Sequence, residues 1–61
     1  MKKAYPIFDT PKKAQEFAEK YWSDELARGE EVAIFYHGKN YVVGIIREMG
    51  FLPKDWKIFQ L

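Results

Sequence analysis

The feature that most constrains the fold is the stretch from Glu31 to Ile46, EVAIFYHGKNYVVGII, in which two apolar runs flank a short polar turn. Two such runs around a glycine-containing turn predict a β-hairpin. A strand with one face in water alternates between apolar and polar residues, whereas a strand covered on both faces need not. Neither run alternates cleanly, so both faces of the hairpin are predicted to need a cover.

The turn predicts the register of the hairpin. Gly38 suits the first central position of a two-residue type II′ turn, which pairs His37 with Asn40. Glu30 then lies opposite Arg47, an opposite-charge pair that supports this register. A three-residue loop would regroup the faces and is the alternative. In the predicted register one face holds the pairs Tyr36–Tyr41, Ile34–Val43 and Val32–Ile45, and the other holds Phe35–Val42, Ala33–Gly44 and Glu31–Ile46.

The segment before the hairpin predicts a helix. Asp9 or Thr10 can cap its first N–H groups, and Pro11 suits its first turn. Gly29 is placed to end the helix in the left-handed conformation. The apolar stripe expected to face the sheet has the three- and four-residue spacing of one helical face and consists of Ala14, Phe17, Ala18 and Tyr21.

Near the C-terminal end of this helix, a charged residue interrupts the apolar stripe. Glu25 falls near the middle of the apolar stripe, where a buried carboxylate would be costly. Trp22 and Leu26 lie at the edge of the stripe, one turn apart. We therefore expect either that contact with the sheet ends near Tyr21 or that the helix bends around residues 23–24.

Two further strands complete the predicted fold. KAYPIF, residues 3–8, predicts a first strand. After the hairpin, LPKDW predicts a turn with Pro53 at its second position, and WKIFQL, residues 56–61, alternates as a fourth strand. The prediction is a single compact α+β domain over residues 1–61 in the order β-α-β-β-β, with one helix packed on a small, mainly antiparallel sheet of three to four strands.

The second face of the hairpin predicts a shallow apolar trough, because Ala33 and Gly44 lie between larger side chains. One helix cannot cover both faces of a sheet. A chain of 61 residues buries only about 60% of its unfolded surface, and without cysteine it has no disulfide to add stability. Three covers are open: the tail folding back with Phe51, Trp56 or Phe59, a second copy of the chain, or a partner protein.

Composition argues against several classes of function. The chain has no cysteine and a single histidine, His37, which excludes a thiol nucleophile, thiolate zinc sites and multi-histidine metal sites. Its glycines are scattered rather than gathered in a phosphate loop, and no serine or threonine has an evident base beside it. We therefore expect no enzymatic activity, no cofactor and no metal.

The length of the apolar runs and the net charge bear on the predicted cellular compartment and on membrane binding. The longest uninterrupted apolar run, Val32 to Tyr36, is far short of a membrane span. The start, MKKAYPIF, has the lysines of a signal peptide, but its apolar part stops at Asp9. The net charge is only +1, so the composition favours no polyanionic partner. We expect a cytoplasmic protein that does not bind membranes.

The predicted function is non-catalytic binding of another protein, as a small regulator or inhibitor, with a homodimer as one form that this binding can take. Aromatic anchors in a domain without catalytic motifs fit a binding hot spot. They would act from an apolar sheet face or from the helix edge. The predicted partner-binding residues are Trp22, Leu26, Phe35, Val42, Ile46 and Trp56.

Nucleic-acid binding, as in an antitoxin or a repressor, is the alternative. The turn YHGKNY places basic and polar residues between two tyrosines, and sheet aromatics can stack on bases while lysines hold phosphates. The nearly neutral net charge argues against it, because nucleic-acid-binding domains usually have a basic excess. The residues for this alternative are His37, Lys39, Tyr41 and Lys57.

The stretch LARGEEVAIFYHGKNYVVGII, residues 26–46, resembles the hairpin of Phd/YefM-type antitoxins. There a helix ends in Gly-Glu-Glu, and a strand, an Arg/His-Gly-Lys turn and a second apolar strand follow. The resemblance would imply a DNA-binding dimer that neutralises a toxin. The chain departs from that pattern, because its region between first strand and hairpin is longer and LPKDWKIFQL replaces the helical extension. The resemblance therefore bears only on the nucleic-acid alternative.

Overall fold

The computed structural model describes residues 5–61 and has the predicted α+β architecture, with one main helix packed against a three-stranded antiparallel sheet. The sheet order is β2-β1-β3, so β1 is central. In chain order the elements are α1 (Pro11–Tyr21), α2 (Ser23–Ala27), β1 (Val32–His37), β2 (Asn40–Ile45), a 3-10 helix (Ile46–Glu48) and β3 (Lys57–Gln60).

The hairpin of β1 and β2 has the predicted register. Every pair from His37–Asn40 to Val32–Ile45 is confirmed. Gly38 has a φ of +61°, and among residues 5–61 no other residue type has a positive φ, so the turn has the dihedral signature of type II′. Arg47 Nη1 lies 2.8 Å from Glu30 Oε2, and this ion pair closes the far end of the hairpin.

We expect Gly38→Ala to lower the free energy of unfolding by about 1–2 kcal/mol, because a side chain in the left-handed conformation crowds its own backbone. Gly50 is the matched control, since its φ is not positive and an added Cβ would meet open space. Gly50→Ala should be neutral or slightly stabilising. Chemical denaturation of both variants measures the difference, and an equal loss in both would contradict the turn assignment.

The start of α1 follows from its local sequence. Thr10 is the cap residue, and its Oγ1 accepts a hydrogen bond of 3.2 Å from the backbone N–H of Lys13. Pro11 occupies the first helical position, as predicted. Ala14 and Ala18 are fully buried. Their small side chains allow the helix to lie close to the sheet.

The end of the helix shows a bend, which was one of the two predicted alternatives, but at a different position and with a different aromatic residue buried. The chain leaves helical geometry at Trp22 (φ −117°, ψ 18°), which separates α1 from α2, rather than at residues 23–24. Trp22 is 4% exposed, whereas Tyr21, predicted to face the sheet, is 64% exposed. Because Trp22 follows Ala14 and Ala18 at four-residue intervals, it continues their buried helix face, and Tyr21 lies to one side of that face.

The predicted first strand is reduced to one bridge among the described residues, since residues 3–4 of that prediction lie outside them. Phe8 and Tyr41 exchange two backbone hydrogen bonds of 2.8 and 2.9 Å, but residues 5–7 form no strand. Pro6 has no N–H to donate there. The order β-α-β-β-β therefore holds only if this bridge is counted as the first strand.

The two faces of the sheet carry separate apolar cores, as the hairpin predicted. The helix-side core contains Ala14, Ala18, Trp22, Val32, Ile34, Val43 and Ile45. The opposite core contains Ala33, Phe35, Val42 and Met49.

The tail covers the second face, which was one of the three covers left open by the sequence. Met49 is buried over Gly44, where an added Cβ would lie 2.5 Å from the Met49 Sδ atom. Leu52 and Trp56 pack at the border of this core. Phe51, one of the side chains expected to fill the trough, is instead 64% exposed. The missing side chain of Gly44 thus makes the room that Met49 occupies.

β3 confirms the predicted last strand and pairs antiparallel with β1, from Tyr36–Lys57 to Ala33–Gln60. The turn before it differs by one position from the prediction. The N–H of Trp56 donates to the carbonyl of Pro53 at 3.3 Å, so Pro53 is the first residue of the turn rather than the second. The turn begins there because residues 49–52 already form a turn of their own.

Candidate functional site

β3 carries two neighbouring apolar side chains that the chain does not bury. Ile58 is 53% exposed and Phe59 is 58% exposed. Residues opposite each other in an antiparallel pair share a face, so Phe59, opposite Ile34, lies on the helix side, and Ile58, opposite Phe35, lies on the other side. Apolar side chains are therefore exposed on both faces of β3.

A groove runs between α1 and β3, because α1 packs mainly on β2 and β1. Two cavities of about 300 and 370 Å³ follow one another along it, and Gln15 and Phe59 line both. Ile34 lies in the first cavity, and Glu19 and Leu61 lie in the second. We call this surface the α1–β3 groove.

The outer edge of β3 has backbone groups available for pairing. The N–H of Leu61 donates to the carbonyl of Val32 at 2.9 Å. Since backbone groups alternate in direction along a strand, residues 57, 59 and 61 point toward β1. Ile58 and Gln60 therefore point their N–H and C=O groups outward, where no strand of residues 5–61 pairs with them. Such an edge is a template for an incoming strand.

Three of the predicted partner-binding residues lie inside the protein. Trp22, Phe35 and Val42 are each buried, Trp22 in the helix-side core and the other two in the opposite core. Trp22 continues the helix face of Ala14 and Ala18 that packs on the sheet. Met49 covers the sheet face that carries Phe35. The candidate site therefore excludes these three side chains.

The other three predicted residues are half-buried and lie around β3. Leu26 lines the α1–β3 groove. Ile46 and Trp56 line a cavity of about 300 Å³ on the other face, together with Ile58. From the sequence, Phe59 was predicted only as a possible cover of the second sheet face, but it lies on the helix side. Ile58 was not selected, although it lies in the alternating segment 56–61 that was predicted as the last strand.

His37 joins the hairpin turn to the tail. Its Nε2 lies 2.9 Å from Asp55 Oδ2. Its ring stacks on Trp56, with 5.8 Å between the ring centroids. Both side chains are more than half exposed, so this contact is open to solvent. His37 therefore helps to hold the tail over the second sheet face.

The residues of the nucleic-acid alternative are only partly brought together. His37, Tyr41 and Lys57 border one depression of about 250 Å³, and Asp55 borders it too. Lys39 lies exposed in the turn. The Asp55 carboxylate places negative charge where a phosphate would have to approach, which counts against this use of the surface.

Two further features bear on the site. Among residues 5–61 no three histidine, aspartate or glutamate side chains are grouped so that they could hold a metal ion. In the same part of the chain, no helix combines the length and apolar character needed to cross a membrane.

Comparison with known proteins gives no match: no protein-family model fits the chain, and no curated protein or solved structure is significantly similar to it. The resemblance of residues 26–46 to the antitoxin hairpin is not extended by any of these comparisons. The function has to be inferred from the surface around β3.

Proposed function

We propose that this chain is a small, non-catalytic, cytoplasmic protein-binding module that acts as a regulator or inhibitor. The observation that carries the proposal is β3, which combines exposed Ile58 and Phe59, an outer edge that no strand of residues 5–61 pairs with, and the adjoining α1–β3 groove. The helix-side core is covered by α1 and the opposite core by the tail, and Ile58 and Phe59 remain exposed beside them.

The geometry fits recognition by strand addition. In that mode, backbone hydrogen bonds to a sheet edge supply affinity, and pockets for alternate side chains supply specificity. The outward N–H and C=O groups of Ile58 and Gln60 would form the backbone hydrogen bonds. The α1–β3 groove beside Phe59 would provide the side-chain pockets. An aromatic side chain at the centre of such a surface is a typical hot-spot residue.

The test compares two phenylalanines of similar exposure. Phe59→Ser should weaken binding of the partner protein roughly thirtyfold or more, as expected for a hot spot worth about 2 kcal/mol. Phe51→Ser is the control, because Phe51 is also mostly exposed but lies outside the groove. Immobilised wild type and variants are exposed to host extract, retained proteins are identified by mass spectrometry, and their affinity is measured with purified material.

The proposal fails if no captured protein binds both wild type and Phe51→Ser but binds Phe59→Ser more weakly. It also fails if the retained material is nucleic acid, released by moderate salt and lost on replacing Lys39 and Lys57. Counterion release makes nucleic-acid affinity fall steeply with salt, whereas an apolar protein contact changes little. Circular dichroism of each variant checks that the fold is intact.

A further inference from the structure

We infer that β3 pairs antiparallel with β3 of a second copy of this chain, about a twofold axis at Phe59. The inference rests on the proposed role of β3 as a binding surface and names a second copy as an occupant of its edge. The second copy would compete there with a partner protein, because the edge pairs with one strand at a time. A twofold interface uses the same patch on both subunits, so β3 has to be complementary to itself. Its backbone, its apolar side chains and its charges each meet that requirement.

The backbone meets it through the two outward-pointing residues. With the axis at Phe59, Ile58 of one copy lies opposite Gln60 of the partner subunit. Both residues of such a pair point their N–H and C=O groups toward each other, which forms two hydrogen bonds in each of two equivalent pairs. An axis at Ile58 would instead need the N–H of Trp56, which already donates to Pro53.

The side chains also fit this axis. Phe59 would meet Phe59 of the partner subunit as a non-hydrogen-bonded pair, the arrangement in which facing side chains come closest. Lys57 would lie opposite Leu61 of the partner subunit. No charged side chain of β3 therefore faces a like charge.

Charge complementarity favours the same axis. Lys57 lies on the helix side of the sheet, because it is paired with Tyr36. Glu19 and Leu61 border the same cavity of the α1–β3 groove. Bringing Lys57 opposite Leu61 of the partner subunit therefore brings it toward Glu19 of the partner subunit. Within residues 5–61 neither Lys57 nor Glu19 has an ion pair of its own.

The first experiment uses the absence of cysteine from the chain. In Phe59→Cys the two thiols would face each other across the axis, within the Cα separation of about 4.4–6.8 Å that disulfides accept. In Ile58→Cys they would be offset by two residues, about 6.6 Å along the strand, which is too far. Phe51→Cys measures cross-linking by random collision.

We expect Phe59→Cys to form the covalent dimer roughly a hundredfold faster than Phe51→Cys, because pairing raises the effective thiol concentration. Non-reducing electrophoresis after mild oxidation follows the rate. Faster cross-linking of Ile58→Cys would overturn the axis at Phe59. Equal rates in all three variants would overturn edge pairing.

The second experiment measures mass by light scattering over a concentration series. Wild type should rise from monomer to dimer mass, and Lys57→Glu or Glu19→Lys should each shift that rise to higher concentration. The double variant Lys57→Glu/Glu19→Lys should dimerise at the wild-type concentration again, since its two exchanged charges attract each other. A wild type that stays monomeric, or a double variant no better than the single ones, would overturn the inference.

The two proposals fail separately. If wild type is monomeric but Phe59→Ser still loses a captured protein, the pairing is wrong and the protein-binding function stands. If wild type dimerises through β3 but no other protein distinguishes Phe59→Ser from wild type, the pairing stands and the regulator function is wrong.

Discussion

Trp22→Ala should lower the free energy of unfolding by about 3–5 kcal/mol, the usual loss when a large buried aromatic is truncated. Trp22 is the largest side chain of the helix-side core and is almost fully buried. A chain of 61 residues has a total stability of roughly 3–9 kcal/mol. The variant is therefore expected to lose at least about a third of this stability, and to be mostly unfolded at room temperature if the total lies at the low end of the range.

The neighbouring residue is the control for this prediction. Tyr21 is mostly exposed, so Tyr21→Ala should change stability by less than about 0.5 kcal/mol. Urea denaturation followed by circular dichroism measures both variants, and Trp22→Phe supplies a folded comparison if Trp22→Ala does not fold. A larger loss at Tyr21 than at Trp22 would mean that the tyrosine ring, and not the indole, belongs to the helix-side core.

Met49→Ala should cost about 2–5 kcal/mol, because it removes the side chain that fills the trough on the second sheet face. Gly44→Ala should also be costly, by about 1–3 kcal/mol, since the added Cβ collides with Met49 and overpacks the site. Both losses arise from the same contact. The two substitutions should therefore not be additive.

A double-mutant cycle tests that contact directly. In the Met49→Ala background the Gly44→Ala methyl group no longer meets the Met49 sulfur, and it fills part of the space left behind. There the same substitution should be neutral or stabilising. Denaturation of the four proteins gives the coupling, and a Gly44→Ala penalty that is unchanged without Met49 would show that the clash is not its cause.

The sequence predicted well wherever structure depends on near neighbours. Thr10 and Pro11 start the helix as predicted because capping acts within one turn. Gly38 sets the turn, and the period of two in a strand then propagates the register from His37–Asn40 to Val32–Ile45. The candidate site was predicted less well. Three of the six predicted partner-binding residues lie inside the protein, Ile58 was not selected, and Phe59 was predicted as a cover of the second sheet face.

By itself, then, the sequence determined the hairpin, its register, its two apolar faces and the need for a second cover. Only the tertiary structure decided that Met49 provides this cover, that Trp22 replaces Tyr21 in the core, and that β3 remains exposed. The apolar side chains of the tail have similar transfer free energies, so hydrophobicity alone cannot rank them. Which of them is buried depends on shape, because Met49 fits the space above Gly44. Which strand stays exposed depends on where α1 packs, and α1 lies mainly on β2 and β1.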